Sequence, residues 1–344
     1  MMPDLKNMTF PELETWAAAN GEPRYRAHQL MKWMYCKEQD DPDAMTDIPK
    51  AFREKLKQEA RISRLEPFEI QKSKDGTRKF LFRLDDGEFI ETVLIQERDH
   101  MTLCVSTQVG CAMGCAFCLT GGAGFKRDLG SAEIVNQILA VKRRLDPGEN
   151  LTNLVFMGMG EPLLNYENTV RALDVVMDNR GLAFSQRHVT VSTSGIAHRI
   201  LPLGNRVNVG LAVSLNAADD ETRSALMPIN RKYPLSTLLD ACRRYPLKRG
   251  RRITYEYILI EGVNDSTRDA ENLVRLLHPG QSKINLIPLN EHAGCSFRSP
   301  EPGTVEGFQA ILIRNHFTAI VRKSKGQDIM AACGQLAGKH AKDS

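Results

Sequence analysis

The stretch Cys111-Ala-Met-Gly-Cys115-Ala-Phe-Cys118 places three thiols close together, directly after a short apolar strand predicted at Thr102–Ser106. Three thiolates on a glycine-containing loop can converge on one metal centre. A structural zinc site uses four ligands, usually as two separated pairs, and this sequence has no second pair. An iron–sulfur cluster held by three cysteines suits the spacing better and leaves one iron free for another ligand. The alternative is a chance cluster of buried cysteines.

The strand before this loop opens a long region in which short apolar strands alternate with amphipathic helices. This alternation predicts parallel strands joined by crossover helices. About six units predict an α/β fold, a partial (β/α)6 barrel, with its chemistry at the carboxyl ends of the strands. The predicted strands are Thr102–Ser106, Asn153–Met157, His188–Ser192, Asn208–Ser214, Ile253–Ile260 and Lys283–Pro288, with Thr318–Arg322 as a late addition. The predicted helices include Ser131–Leu145, Tyr166–Asp178, Ser236–Tyr245, Ser266–Leu277 and Pro302–Asn315.

The periodicity changes along the chain and divides it into three predicted regions. Apolar residues at helical spacing, with prolines between them, predict a small helical accessory domain over residues 1–62. Two apolar runs around Asp85-Asp86-Gly87 predict a β-hairpin extension over residues 63–98. The partial barrel, with a cysteine near its C-terminal end, is predicted over residues 99–344.

The composition is that of a soluble globular protein. The 344 residues are 42% hydrophobic and 26% charged, which excludes a disordered chain. The net charge of +4 is too small to indicate a nucleic-acid-binding protein by itself. The N-terminus has no signal-peptide pattern and no window is apolar enough for a membrane helix, so we expect no membrane association. We therefore expect a cytoplasmic protein whose eight cysteines stay reduced.

Further stretches, taken together with the cysteine loop, match one known family. They are Leu103-Cys104-Val-Ser-Thr-Gln-Val-Gly-Cys111, Phe156-Met-Gly-Met-Gly-Glu-Pro162, Leu226-Met-Pro-Ile-Asn230 and Ala331-Ala-Cys333-Gly-Gln-Leu336, supported by Glu22-Pro-Arg-Tyr-Arg26 and Glu91-Thr-Val93. With these stretches, the sequence from about residue 20 to 338 resembles the RlmN/Cfr family of radical S-adenosylmethionine RNA methyltransferases. Phe117 matches the aromatic residue usually found between the last two cysteines of that family's loop. The resemblance implies a radical S-adenosylmethionine barrel with an N-terminal RNA-binding domain.

The resemblance also implies cofactors and catalytic roles. Cys111, Cys115 and Cys118 would hold one 4Fe–4S cluster per chain, and two S-adenosylmethionine molecules would be used per turnover. Cys333 would carry a methyl group that becomes attached to the RNA base. Cys104 would resolve the covalent adduct by forming a disulfide with Cys333. Without the resemblance, Cys104 and Cys333 would each be interpreted as a buried residue that only packs.

Glu91 matches the base that the family is proposed to use to remove the proton from the adenine carbon. On a hairpin alone, it would be interpreted as a solvated strand residue. Cys36, Cys242 and Cys295 match no functional position, and we expect them to be partly buried free thiols.

Residues that follow the strands match the family's contacts to S-adenosylmethionine. They belong to different strands yet fall at one end of the predicted barrel, which supports them independently. The Gly-x-Gly at residues 158–160 is weak by itself, because a simple strand-to-helix turn has the same pattern. The family more often has His at position 216, so we expect a backbone contact there. The predicted cofactor contacts are Gly160, Glu161, Ser192, Ser214, Leu215, Asn216 and Asn290.

The implied reaction is methylation of carbon 2 of adenosine, in 23S rRNA at the peptidyl-transferase centre and in tRNA next to the anticodon. The implied electron donor is a reduced flavodoxin or ferredoxin, and we expect a monomer. One alternative is the carbon-8 rRNA methyltransferase of the same family, and Glu161-Pro162 favours carbon 2. A second alternative is an electron-transfer or structural iron–sulfur protein that binds RNA, which a fourth cluster cysteine would have favoured.

Basic residues are grouped locally despite the small net charge. We expect them to contact RNA phosphates, which would make binding dependent on salt. The alternative for each group is a solvated helix surface. The groups are Arg243, Arg244, Lys248, Arg249, Arg251 and Arg252; Arg322, Lys323 and Lys325; and Lys142, Arg143 and Arg144.

Overall fold

The computed structural model describes residues 2–292 and 294–338 of the chain. We number its helices and strands in chain order. The α-helices are α1 Phe10–Ala19, α2 Tyr25–Met31, α3 Lys50–Glu59, α4 Leu119–Gly122, α5 Ser131–Lys142, α6 Tyr166–Met177, α7 Ala197–Arg206, α8 Asp220–Leu226, α9 Leu235–Arg243, α10 Thr267–Leu276 and α11 Pro302–Arg314. The strands are β1 Pro67–Lys72, β2 Arg78–Arg83, β3 Phe89–Gln96, β4 Met101–Cys104, β5 Gln108–Gly110, β6 Phe125–Asp128, β7 Leu151–Phe156, β8 Val189–Thr193, β9 Gly210–Ser214, β10 Ile253–Leu259, β11 Ser282–Pro288 and β12 Thr318–Val321.

One large sheet organises the fold, with strand order β1-β2-β3-β4-β7-β8-β9-β10-β11-β12. Every neighbouring pair from β4 to β12 is parallel. The predicted partial barrel is therefore confirmed, with β12 as the seventh parallel strand. Strands β1 and β12 lie at the two ends of the order, so the described strands form an open barrel.

Burial explains why these segments form parallel strands. Leu154, Val191 and Val213 are fully buried, because helices cover the outside of the sheet while side chains fill its inside. The crossover helices have matching termini. For example, Ser266 and Asp269 form a capping box at the start of α10, where each satisfies a backbone N–H of the other.

The hairpin around Asp85-Asp86-Gly87 is continuous with the barrel sheet. Strand β3 pairs antiparallel with β4, with Val93 opposite Cys104. A further strand, β1, precedes the hairpin. It was not predicted, because its residues alternate between exposed and half-buried and none is fully buried. A second sheet of β5 and β6 carries the cysteine loop. These two strands have only three and four residues, too few for a periodic signal.

Buried charges connect the N-terminal helices to the barrel. The Nζ atom of Lys6 is 2.6 Å from Asp40, 2.7 Å from the carbonyl of Ser63 and 2.9 Å from the side-chain oxygen of Asn136 in α5. Lys6 is fully buried, and burial lowers its pKa. These contacts fix the helices against the outer face of α5.

Residues 142–144 form ion pairs with acidic residues of the N-terminal part of the chain, so their charges are balanced within the protein. Lys142 is 3.0 Å from Glu38, Arg143 is 2.8 Å from Asp40, and Arg144 pairs with Glu66. The sequence separates these partners by about a hundred residues, so local charge counting cannot find them.

Within the described residues, no helix is long and apolar enough to span a membrane.

We predict that Asp40→Asn lowers the free energy of unfolding by about 3–5 kcal/mol, because it leaves the buried Lys6 ammonium without its carboxylate. Chemical denaturation measures the change. Asp43→Asn is the control, since Asp43 pairs with Lys57 on the surface and should cost less than about 1 kcal/mol. Equal effects of the two variants would contradict a role for Asp40 in balancing a buried charge.

Candidate active site

The inside of the barrel holds a cavity of about 790 Å³. Its walls are formed by inward-facing residues of strands from β3 to β12. The cavity brings together residues that lie far apart in the sequence. Six of the predicted site residues line it, namely Cys104, Cys111, Cys118, Gly160, Asn290 and Cys333.

The loop that carries the three cysteines is anchored at both ends. Gly110 has a φ of +72°, and a side chain there would collide with the carbonyl of Gly124. The N–H of Ala116 donates to the carbonyl of Leu226 at the end of α8, at 2.9 Å. After the last cysteine, Leu119 N–H donates to the carbonyl of Gly334 at 2.8 Å. The loop therefore touches both α8 and the segment that carries Cys333.

The thiols of the loop are close enough to influence one another electrostatically. Burial raises the pKa of Cys111 to about 12 and raises that of Cys115 further, and the neighbouring thiols add to both shifts. Without a metal these groups are therefore neutral thiols at pH 7. A metal centre would supply the positive charge that stabilises thiolates.

These residues fit an iron–sulfur cluster better than a single ion. Among the described residues, no three His, Cys, Asp or Glu side chains converge tightly enough for one metal ion. A cluster is larger than one ion, so its ligands lie farther apart. Three loop thiols in electrostatic contact, two of them facing a large cavity, meet this requirement.

Cys104 and Cys333 face the same cavity from opposite ends of the sequence. Cys104 ends β4, and burial raises its pKa, with a smaller contribution from the nearby Cys333. Burial raises the pKa of Cys333 to about 11, and the negative charge of Glu256 makes a smaller contribution in the same direction. Although Cys333 has exposed surface, that surface faces the cavity, and protein surrounds the thiol. Both residues are free thiols in the structure.

The segment that carries Cys333 follows β12, and hydrogen bonds hold it against the barrel. Asn290 donates to the carbonyl of Cys333 at 3.1 Å and accepts from Gln327 at 2.9 Å. Thr120 donates to the carbonyl of Leu336 at 2.5 Å. Asn290, predicted as a cofactor contact, therefore holds the backbone of Cys333.

Glu91 holds the far end of the same segment. One carboxylate oxygen accepts from the backbone N–H groups of Ala337 and Gly338, at 2.7 and 3.0 Å. The other oxygen is 3.0 Å from the Nζ atom of Lys79, which also donates to the carbonyl of Met330 at 3.4 Å. The Lys79–Glu91 pair is buried and clamps both ends of the segment. Sequence analysis missed Lys79, because a lysine on a hairpin strand is ordinarily solvated.

Glu161 is buried at the end of β7, where burial raises its pKa and hydrogen bonds oppose the rise. One carboxylate oxygen accepts from the N–H and hydroxyl of Ser194, both at 2.6 Å, and the other accepts from the N–H of Leu163. Gly160 before it has a φ of +101°, and a side chain there would collide with Gln108. The turn thus needs glycine for both conformation and space.

The remaining predicted cofactor contacts lie at the ends of β8 and β9. Ser192 and Ser214 lie two residues after Thr190 and Ala212, which line the cavity, so strand alternation puts them on the cavity side. The carbonyl of Leu215 accepts from Arg223 at 3.0 Å. Sequence analysis missed Ser194 and Arg223, since neither lies in a recognisable chemical motif.

Asn216 is buried, and its backbone has a φ of +58°. Its amide oxygen accepts from Ile258 N–H at 2.9 Å, its amide nitrogen contacts the sulfur of Met227, and its carbonyl accepts from Asn264. Asparagine is among the non-glycine residues that most often adopt this left-handed conformation. These bonds occupy the side chain, which connects β9 to β10.

Several predicted groups lie away from the cavity lining. Cys36 is exposed, Cys242 is buried in α9 and Cys295 is half-buried. The basic residues from 243 to 252 connect the end of α9 to the start of β10, so they lie at the amino ends of the strands, opposite the site. In contrast, Arg322, Lys323 and Lys325 line the cavity and keep their predicted place near the site.

The open barrel and the three-cysteine loop define the class of protein, a radical S-adenosylmethionine enzyme. Residues 105–276 match the model of the Radical SAM superfamily, and residues 3–62 match the Ribosomal RNA large subunit methyltransferase N-terminal domain. Membership of the superfamily implies an iron–sulfur cluster and S-adenosylmethionine.

Full-length comparisons identify the family. The chain is 54% identical over 338 residues to a dual-specificity RNA methyltransferase RlmN of Geobacter sulfurreducens, covering 98% of this chain and 93% of the relative. It is 52% identical to an RlmN of Desulfosudis oleivorans, covering 97% and 90%. The crystal structure of a radical SAM methyltransferase from Sphaerobacter thermophilus superposes with a TM-score of 0.92 at 46% identity, covering 98% of this chain and 100% of that one. The chain belongs to the RlmN family and is a methyltransferase.

We predict that Lys79→Met loosens the segment that carries Cys333. The substitution removes the bonds that the Lys79 ammonium makes to Glu91 and to the carbonyl of Met330. Hydrogen bonds that involve a charged group are worth about 1.5–3 kcal/mol each. We therefore expect hydrogen exchange at the Ala337 and Gly338 amides to speed up about ten- to hundredfold. Lys74→Met is the control, because its side chain is exposed and only its backbone binds Asp328. Unchanged exchange in Lys79→Met would show that Lys79 does not hold the segment.

Proposed function

We propose that the enzyme methylates carbon 2 of adenosine in 23S rRNA and in tRNA. The observation that carries the proposal is the single cavity shared by Cys333, Cys104 and two of the three loop cysteines. The similar proteins from Geobacter sulfurreducens and Desulfosudis oleivorans are dual-specificity RNA methyltransferases, which supports RNA as the substrate class. Carbon 2 of adenine is electron-poor, so direct attack on a sulfonium methyl group is unfavourable and a carrier is needed.

We assign Cys111, Cys115 and Cys118 to one 4Fe–4S cluster, with two S-adenosylmethionine molecules used per turnover. When bound, the reduced cluster supplies the electron that cleaves S-adenosylmethionine to a 5′-deoxyadenosyl radical. Gly160 and Glu161 lie on the loop after β7, where Gly160 lines the cavity, and we assign this loop to orienting the methionyl part of the cofactor. Ser192 and Ser214 approach from β8 and β9. We expect a reduced flavodoxin or ferredoxin as the electron donor.

Cys333 is the methyl carrier in this proposal. Its thiol faces the cavity, and its segment is fixed by Asn290, Thr120 and Glu91. Transfer of a methyl group to the sulfur releases the thiol proton and leaves a thioether. Loss of one methyl hydrogen atom to the 5′-deoxyadenosyl radical would leave a carbon radical that bonds to carbon 2 and links the protein covalently to the RNA. The adduct would then return one electron to the oxidised cluster and lose the carbon-2 proton, which restores the aromatic ring.

Cys104 resolves the covalent link. Its sulfur bonds to the sulfur of Cys333 while the bond between the Cys333 sulfur and the former methyl carbon breaks. The electron pair of that bond leaves with the carbon, which takes up a proton to become the product methyl group. The disulfide must then be reduced to the dithiol, which suits a reducing cytoplasm.

Glu91 is the proposed base for the proton on carbon 2. In the docked arrangement its carboxylate accepts from Ala337, Gly338 and Lys79. A base must reach the proton that it removes. The role therefore requires the two backbone bonds to open when RNA enters, while the ion pair with Lys79 holds the carboxylate in place.

Nucleoside mass spectrometry tests the proposal most directly. Reconstituted, reduced protein incubated with rRNA and tRNA should produce 2-methyladenosine in both. Formation of 8-methyladenosine alone would support the carbon-8 alternative instead. Failure of the cluster-loaded protein to cleave S-adenosylmethionine would refute radical chemistry altogether and favour an iron–sulfur protein that only binds RNA.

We predict that Cys104→Ala accumulates a covalent RNA–protein adduct, because no second thiol displaces the sulfur of Cys333. Denaturing gels and intact-mass measurements detect the adduct. Cys36→Ala is the matched control, since Cys36 is exposed and away from the cavity lining, and it should release product normally. Normal turnover by Cys104→Ala would remove Cys104 from the mechanism.

A further inference from the structure

Arg223 in α8 is fully buried, yet it has no anionic partner. Its guanidinium donates to four neutral oxygens: the carbonyls of Leu215, Ser194 and Ser214, at 3.0, 2.8 and 3.1 Å, and the side chain of Asn230, at 2.9 Å. It forms no ion pair with any carboxylate in the described part of the chain. Burial lowers its pKa to about 10, so it still carries its charge at neutral pH.

The other buried cations in the described ranges are paired. Lys6 contacts Asp40, Arg78 contacts Glu149 and Lys79 contacts Glu91. An unpaired buried charge is strongly unfavourable unless something compensates it. Arg223 is therefore the exception, and its surroundings should contain an anion when the enzyme is complete.

The geometry indicates where that anion lies. Leu226, one turn after Arg223 in α8, accepts the hydrogen bond from Ala116 N–H, which adjoins Cys115. Cys115 also packs against the apolar cluster that contains Leu226 and Met227, at the end of the same helix. Arg223 thus lies behind the cysteine loop, on the side of Cys115.

An iron–sulfur cluster on three thiolates is such an anion. The thiolates outweigh the positive charge of the oxidised core, and reduction adds a further electron. Net charge near the cluster is one of the factors that set its reduction potential. A fixed cation beside Cys115 stabilises the reduced state more than the oxidised state, because the reduced state is the more negative.

We propose that Arg223 is a positioning residue with an electrostatic role: it provides the buried positive charge that balances the cluster and raises its reduction potential. The same side chain ties the ends of β8 and β9 together through Ser194 and Ser214, beside Glu161. The inference rests on the proposed assignment of the cluster to Cys111, Cys115 and Cys118.

The test is a redox titration of the cluster-loaded full-length protein, followed by electron paramagnetic resonance. We expect Arg223→Gln to lower the ratio of reduced to oxidised cluster about tenfold at a fixed potential, which for one electron is about 59 mV. Arg223→Lys keeps the charge and should restore most of the potential. Asn230→Ala removes the hydrogen bond from Arg223, together with those to Asp220 and Ser224, but no charge, and should leave the potential near that of the unsubstituted protein.

A second variant keeps the test valid if Arg223→Gln does not fold. Asp220 is exposed, and its carboxylate accepts from the Asn230 side chain, which in turn accepts from Arg223. Asp220→Asn retains an oxygen for Leu235 N–H but removes the negative charge, so it should shift the potential upward. A potential unchanged in Arg223→Gln, equal shifts in Arg223→Gln and Arg223→Lys, or no upward shift in Asp220→Asn would overturn the inference.

The two proposals fail in different ways. If the unsubstituted protein takes up no cluster, or its reduced cluster never cleaves S-adenosylmethionine, the proposed function fails. If that protein reacts normally but its reduction potential does not depend on the charge at position 223, only the role of Arg223 fails.

Discussion

The hydrogen bonds that Glu91 accepts from Ala337 and Gly338 hold the candidate site together. Parallel pairing brings the carboxyl ends of the strands to one rim, but the sheet stays open between its terminal strands. The segment after β12 crosses to β3, where Ala337 and Gly338 donate hydrogen bonds to Glu91. It thereby brings Cys333 to the cavity that Cys104 lines from β4. Two cysteines more than two hundred residues apart can meet only because this segment docks.

The site is organised around buried charges and their partners. Lys79 balances Glu91, whereas Glu161 is stabilised by hydrogen-bond donors from Ser194 and Leu163. Among the described residues, the hydrogen bonds that Arg223 donates all go to neutral acceptors. A buried ion restricts its surroundings to geometries that satisfy it, since misplacing its partners is costly. Buried ions therefore fix the strand ends more tightly than apolar packing alone would.

The sequence was sufficient for features that repeat or cluster locally. Strand–helix alternation predicts the parallel sheet, since each crossover imposes its own periodicity. The loop cysteines are recognisable because their spacing is local. Features that depend on distant partners were not predictable in this way. The basic residues 142–144 resemble a surface group, and only the fold brings Glu38, Asp40 and Glu66 against them. Likewise, nothing near Asn216 in the sequence indicates its left-handed backbone.

The raised pKa values of Cys104 and Cys333 bear on how such a site avoids self-inactivation. Disulfide formation needs a thiolate, and burial keeps both residues protonated at neutral pH. A disulfide formed too early would remove the methyl acceptor before any substrate arrived. Burial raises the pKa of both thiols, so neither is an ionised nucleophile in these surroundings. Premature formation of the disulfide is therefore disfavoured, as a result of the burial of Cys104 at the end of β4 and of Cys333 in the docked segment.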